Sequence, residues 1–300
     1  MEEIAQVERL ESAILGEGPA WNPSRSILSW VDIPMGRVHE YEPATGNSTH
    51  RDVEGAVGAA LPAEGGGYVL GTDTGFWRMD DGGSLTLIAQ VEADEPDRRM
   101  NDAKPDPAGR IWGGTLAQGF APGSGSLWRL DTDGSIERVL TGLTIPNGMG
   151  WTPDGRGMWL IDSFAYEAVL YKYDVSDGAL GDRITTIPLL ESEGLGDGMC
   201  VDLEGGIWIA RFGGWAIDRY DVAGVRTDHV TLPVSHPTSC AFGTSDLSRL
   251  YVTTSRSTAA GPRPDDELED QPFAGSLFSF DPPVPGAPVA LARIGEISAE

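Results

Sequence analysis

Arg99-Met100-Asn101-Asp102-Ala103-Lys104-Pro105-Asp106-Pro107-Ala108-Gly109-Arg110-Ile111-Trp112-Gly113-Gly114-Thr115 is the stretch whose repetition sets the fold. It runs from a polar cluster through a short apolar segment and a Pro/Gly turn into a strand starting at Ile111, the pattern of a β-hairpin. Second strands of this kind are predicted to begin at Ile27, Tyr68, Ile111, Met158, Ile207 and Leu250, at intervals of 41, 43, 47, 49 and 43 residues. A second series is interleaved with them, strands that close on an acid: Val38 to Glu42, Phe76 to Asp80, Leu127 to Asp131, Leu170 to Asp174, Ile217 to Asp221 and Leu277 to Asp281. Each unit has room for a fourth strand. Repeats of this length built from four strands are β-propeller blades around an axis, so the chain is predicted to be all-β, a single six-bladed β-propeller domain over residues 1–300.

The turns agree with the repeat. Asn22-Pro23-Ser24-Arg25, Asp106-Pro107-Ala108-Gly109, Thr152-Pro153-Asp154-Gly155 and Asp202-Leu203-Glu204-Gly205 occupy one point of their units. Trp112, Trp159, Trp208 and Tyr251, each one past a strand start, are placed to wedge between blades. An open ring would expose an edge strand. The strand-like segments Ile4 to Leu15 and Val289 to Ile297 are therefore expected in one shared terminal blade, and Thr258 to Phe273 is read as a surface loop within it.

Composition excludes several classes. Forty glycines and 21 prolines do not suit a helical protein, and no stretch has the spacing of an amphipathic helix. A net charge of −25 opposes nucleic-acid phosphates and anionic lipid alike. Met1-Glu2-Glu3 lacks the basic start of a signal peptide and no apolar run is long enough to span a bilayer, so a cytoplasmic protein is expected. Two cysteines, Cys200 and Cys240, make no disulfide framework. They fall at similar places in adjacent units and are read as buried thiols.

About ten residues before each second strand, where the chain enters the inner strand of a blade, stand Glu17, Gly58, Asn101, Asn147 and Asp197, with Pro237 or Thr238 in the sixth unit. Equivalent positions face one another across a propeller axis, so Glu17, Asn101, Asn147 and Asp197 are predicted to converge at one mouth. Packed carboxylates raise each other's pKa unless a cation neutralises them. Two carboxylates and two amides without His or Cys describe a site for a hard divalent cation. Gly16, Gly18, Gly148, Gly196 and Gly198 are expected to let backbone pass close to the ion and its ligand.

At these residues the sequence resembles the SMP-30/gluconolactonase family of regucalcin-type and bacterial sugar lactonases. The resemblance is carried by Gly16-Glu17-Gly18-Pro19-Ala20-Trp21, Arg99-Met100-Asn101-Asp102, Asp106-Pro107-Ala108-Gly109-Arg110, Ile145-Pro146-Asn147-Gly148, Asp197-Gly198-Met199-Cys200 and Thr238-Ser239-Cys240-Ala241-Phe242-Gly243. It implies a six-bladed propeller, one divalent metal on Glu17, Asn147 and Asp197, and a substrate pocket lined by Arg99 and Asn101. Calcium comes first among the metals, with zinc, magnesium, manganese and iron as alternatives. Some animal members carry a substrate-contacting acid where this chain has Gly119, so their substrate preference does not carry over.

The chemistry expected is hydrolysis of a sugar acid lactone in carbohydrate metabolism. The metal polarises the lactone carbonyl, Asp197 acts as general base toward water, and Arg99 and Asn101 hold the substrate. A carboxylate that also ligates a cation is a poor base, so a hydroxide generated on the ion is the competing route. Ser26, Ser163, Ser239 and Ser255 lack a nucleophile elbow, and His39, His50, His229 and His236 lack partner spacing. Asp162 and Phe164 are read as strand-end structure. Two other functions fit the same site: a phosphotriester or fluorophosphate hydrolase, and a non-enzymatic calcium-binding regulator. The oligomeric state is not encoded in any feature of the sequence.

Overall fold

The computed structural model describes residues 5–6, 10–257 and 270–295. After β1 (Ala5–Gln6), blade 1 comprises β2 (Gly16–Asn22), β3 (Ile27–Asp32), β4 (Arg37–Glu42) and β5 (Asn47–Asp52). Blade 2 comprises β6 (Val57–Pro62), β7 (Tyr68–Thr72), β8 (Gly75–Met79) and β9 (Leu85–Gln90). Blade 3 follows as β10 (Arg98–Pro105), β11 (Ile111–Ala117), β12 (Gly125–Leu130) and β13 (Ile136–Leu143). Blade 4 holds β14 (Pro146–Trp151), β15 (Gly157–Asp162), β16 (Glu167–Asp174) and β17 (Ala179–Pro188), and blade 5 holds β18 (Leu195–Val201), β19 (Ile207–Phe212), β20 (Ala216–Tyr220) and β21 (Arg226–Thr231). Blade 6 pairs β22 (Pro237–Gly243), β23 (Arg249–Thr254) and β24 (Phe278–Phe280) with β1 as its outermost strand.

Every blade is a four-stranded antiparallel sheet, a meander in blades 1 to 5, and each inner strand packs on the next around the axis, β22 returning to β2. The predicted second strands start within one residue of where they were placed. Ring closure is shared by the two ends of the chain, since Ala5 and Gln6 pair with Ser279 and Phe278. The segment from Val289 does not join that blade. Ala292 bridges Ala63, its N–H donates to Pro62 O (2.9 Å), Arg293 N–H donates to Gly109 O (2.8 Å) and Gly295 N–H to Thr132 O (2.7 Å). Its apolar alternation serves a strap across the lower face under blades 2 and 3, which uses backbone groups at the turns of those blades. Of the loop expected over Thr258 to Phe273, residues 258–269 lie outside the described residues.

The aromatic wedges pack on the following blade. Trp112 lies with Trp151 and Tyr173, Trp159 with Met199, Val201 and Ile209, Trp208 with Phe242 and Phe280, and Tyr251 with Leu28 and Trp30. Burying one such ring stabilises the blade contact by about 3 kcal/mol or more. The turns after the inner strands are fixed by a buried side-chain oxygen. Asp106 accepts from the N–H of Ala108 (2.8 Å) and Arg110 (3.0 Å) and from Arg110 Nε (2.6 Å). Asp202 does the same with Glu204, Gly206 and Arg219, and Asn22 with Ser24 and Arg25.

The inner strands share one irregularity. Pairing with the second strand shifts register at Glu17/Ala20, Val57/Ala59, Met100/Asp102, Pro146/Met149, Gly196/Met199 and Pro237/Ser239. A bulge leaves a residue unpaired and re-aims its side chain. Gly58, Asn101, Asn147, Asp197 and Thr238 are the residues so released, and Glu17 immediately precedes the bulge of its strand.

Candidate active site

Glu17, Arg99, Asn101, Asn147, Ser163 and Asp197 line a single cavity at the upper mouth, together with Leu15, Leu116, Phe120, Ile145, Leu195 and Phe212. The four residues predicted to converge are therefore brought together. The two other members of the register are not part of the cavity. A Cβ on Gly58 would collide with the backbone of Met100 and Asn101. Thr238 gives its hydroxyl to Gly16 O and shares a hydrogen bond with Thr253 Oγ1 (2.9 Å), which ties blade 6 to blade 1.

The polar groups are held from behind. Asn147 Nδ2 donates to Ser163 Oγ (3.2 Å) and to Asp197 Oδ1, while Ser163 Oγ donates to Gly196 O (2.7 Å). Arg99 Nη1 donates to Asn101 Oδ1 and to Met100 O, both at 3.0 Å, and Asn101 Nδ2 donates to Pro146 O (3.1 Å). Gly18 N–H donates to Glu17 Oε2 (3.1 Å). The amide of Asn101 is thus engaged at both ends. Asn147 differs, because its Oδ1 is buried without a hydrogen-bond partner.

Burial pushes the Glu17 carboxyl well above the usual carboxylate range, and the charges of Asp197 and Asp102 add to it, with Gly18 N–H and Arg99 pulling back. Asp197 is raised in the same direction by burial and by Asp102, against the hydrogen bond from Asn147. Arg99 is lowered to about 10 by burial, opposed by Glu17 and Asp197. Excess negative potential, two buried carboxylates and an unpartnered amide oxygen make a donor set that fits a hard divalent cation. Among the described residues no three His, Cys, Asp or Glu side chains form such a group by themselves.

Sequence reasoning missed Ser163 as the residue that orients Asn147, and Asp102 as a buried charge further along the axis. Its adjacency to Asn101 in the bulge was the only available signal. A Cβ on Gly148 would stand 2.5 Å from Asp197 O, so this glycine lets the blade 4 and blade 5 inner strands touch. Asp162 caps Thr144 and Ile145 N–H (2.9 and 2.8 Å), the strand-end role read from sequence. None of the four histidines lines the cavity. A larger cavity of about 280 Å³ sits at the opposite end of the axis, walled mainly by hydrocarbon from Trp21, Leu61, Phe242 and Leu291. Lys104 there is tied to Met199 O (2.6 Å).

The SMP-30/Gluconolactonase/LRE-like region matches residues 15–256, a span that includes all six blades' inner strands and the whole polar cluster. The chain belongs to the SMP-30/gluconolactonase family. Within that family it is 39% identical to the pentonolactonase XacC of Haloferax volcanii over 279 residues, 92% of this chain and 94% of that protein. It is 34% identical to regucalcin of Xenopus laevis over 277 residues, 90% of this chain and 91% of that protein. The calcium-binding protein regucalcin from Agrobacterium tumefaciens superposes with a TM-score of 0.89 at 30% identity, covering 95% of both chains. A gluconolactonase from Xanthomonas campestris shares the fold, with a TM-score of 0.74 at 22% identity over 94% of this chain and 89% of its own.

Proposed function

We propose that this protein hydrolyses a sugar acid lactone with the help of one divalent cation held by Glu17, Asn147 and Asp197. The observation that carries the reading is the buried Asn147 Oδ1, which has no partner and stands beside two carboxylates whose charges are not balanced. Lactone-hydrolysing relatives within the family support the reaction class. Calcium is the first choice of ion, in keeping with a calcium-binding relative and with an all-oxygen donor set.

The cation, when bound, supplies Lewis-acid polarisation of the lactone carbonyl. Arg99, anchored by Met100 O and Asn101 Oδ1, keeps further N–H donors for ring oxygens and fixes the substrate against the cluster. Asn101 is engaged on both sides and acts as the brace of Arg99 at the substrate wall, which favours a substrate role over a ligand role. Asp197 takes the proton of the attacking water.

The test is a pH-stat assay on metal-free protein with calcium, magnesium, manganese, zinc and iron(II) added back, run on gluconolactone, pentonolactones and phosphotriesters. Cation-dependent acid release from lactones is expected. Turnover of phosphotriesters alone would reassign the substrate, and cation binding without hydrolysis of either class would leave a calcium-binding regulator.

A further inference from the structure

Cys200 on β18 and Cys240 on β22 stand side by side on the inner strands of blades 5 and 6, with their Sγ atoms 3.5 Å apart. The two strands run close together along this seam. A Cβ on Gly198 would lie 2.8 Å from the Cα of Ser239, and past the bulges both cysteines sit in regular ladders, Cys200 opposite Trp208 and Cys240 opposite Val252. The thiols differ in access. Cys240 is fully buried and its Sγ donates to Trp208 O (3.4 Å), whereas Cys200, 5% exposed, lines the larger cavity at the lower end of the axis. Pro23, Ser245, Pro288 and Val289 are the exposed members of that lining and mark its mouth. Burial first, then Cys240, raises the pKa of Cys200 well above its ordinary value, with Lys104 pulling back, so this residue rests as the thiol.

We propose that Cys200 and Cys240 form a redox modification site, a thiol pair that a peroxide converts to a disulfide stapling blade 5 to blade 6. A peroxide entering the lower cavity meets Cys200 first. The sulfur takes one peroxide oxygen as the O–O bond breaks, which leaves a sulfenic acid on Cys200 and, from hydrogen peroxide, releases the other oxygen as water. The Cys240 sulfur then attacks the Cys200 sulfur. The S–S bond forms, the S–O bond breaks, and the hydroxyl leaves with the Cys240 proton as a second water. The sulfurs have only about 1.5 Å to close, so condensation with the adjacent thiol precedes further oxidation of the sulfenic acid. The new bond joins residues forty positions apart and removes freedom from the unfolded chain.

The experiment treats the reduced, folded, full-length protein with hydrogen peroxide, then unfolds it in urea with N-ethylmaleimide and maps the cysteine peptides by mass spectrometry. The expected product carries no maleimide and contains a peptide linking Cys200 to Cys240 that lacks two hydrogens, formed at a rate independent of protein concentration and reversed by dithiothreitol. In Cys240→Ala the reaction stops at Cys200, captured by dimedone, and in Cys200→Ala the remaining thiol still takes maleimide. The oxidised wild type unfolds at a higher urea concentration than the same sample after dithiothreitol. Two maleimide additions after peroxide, oxygens added at Cys200 without a link to Cys240, a Cys200 spared in Cys240→Ala, or a urea midpoint that dithiothreitol leaves unchanged or raises overturns the proposal.

Discussion

Asn147 and Asp197, fifty positions apart on the inner strands of adjacent blades, are joined by a hydrogen bond from Nδ2 to Oδ1, and the amide oxygen of Asn147 is left buried and unpartnered. An unsatisfied buried acceptor costs about 1–3 kcal/mol. The proposed cation would use it as a ligand beside the two carboxylates.

Replacing Asp197 by Asn is therefore expected to have opposite effects on stability and turnover. Without added cation, Asp197→Asn melts at or above the wild-type temperature, because a repelling buried carboxylate has gone. Calcium at a hundred times its Kd stabilises the wild type by about 2.7 kcal/mol, and the variant loses most of that shift along with at least about a thousandfold in kcat/KM. Calorimetry with and without calcium, beside a pH-stat assay, checks both. An undiminished calcium shift in Asp197→Asn would remove the residue from the binding set.

Ser163→Ala deletes the group behind Asn147 without touching the cavity's carboxylates. Groups that orient a metal ligand are worth about 10–100-fold in affinity or activity, so calcium titration calorimetry is expected to show a weakening of that size. An affinity within about twofold of wild type would mean that Asn147 is held by Asp197 alone.

Chelation offers a third check. Dialysis against a chelator is expected to abolish lactone hydrolysis, with recovery on adding back calcium at a molar ratio of about one for the single proposed donor set among the described residues. Full activity in chelator would contradict a cation-dependent site.

His39 gives a pH dependence remote from the site. It is stacked on Trp30 (4.8 Å between centroids, 3° between planes) and its Nε2 is buried without a partner. Burial first, then His50 and Arg37, lowers its pKa from 6.5 to about 4. Because the folded imidazole stays neutral while the unfolded one takes up a proton, stability is full above about pH 6.5 and declines as the pH falls toward 4, by up to about 3 kcal/mol from this group. Urea midpoints at pH 7 and pH 5 measure the decline, and His39→Phe is expected to flatten it. An equal slope in the variant assigns the pH dependence elsewhere.

Asp106→Ala tests the turn chemistry. The carboxylate is fully buried between Arg110, Tyr173 and two backbone N–H groups, and its removal leaves the buried Arg110 without its counter-charge, with Val175 O and Tyr173 Oη as its remaining partners. A loss of about 3 kcal/mol in urea unfolding is expected. A loss under about 1 kcal/mol would mean that Val175 O, Tyr173 Oη and water suffice for Arg110 without a counter-charge.

Much of this was legible before any coordinates. Ile27, Tyr68, Ile111, Met158, Ile207 and Leu250 mark the second strands because each blade must bury one strand between two others, and that need recurs at a nearly constant chain length. Glu17, Asn101, Asn147 and Asp197 stand out because side chains that break an apolar pattern at a repeated position are exposed to a common axis. The path of Val289 onward was misread, since an apolar alternation serves a strap as well as a strand and nothing local distinguishes the two. Ser163 was set aside as a failed nucleophile. Its contact with Asn147 spans two elements and has no sequence spacing of its own.

The sequence alone determined the number of blades, the turn residues and the polar register of Glu17, Asn101, Asn147 and Asp197 in four of the six inner strands, because these follow from local propensity and from a repeat that each unit obeys by itself. Only the tertiary structure decided how those groups are turned out of their strands and what holds them, such as Ser163 behind Asn147. The bulges that turn Asn101, Asn147 and Asp197 out of the ladder are two-against-one pairings between strands. Such a pairing is a property of both partners, and neither strand's sequence contains it.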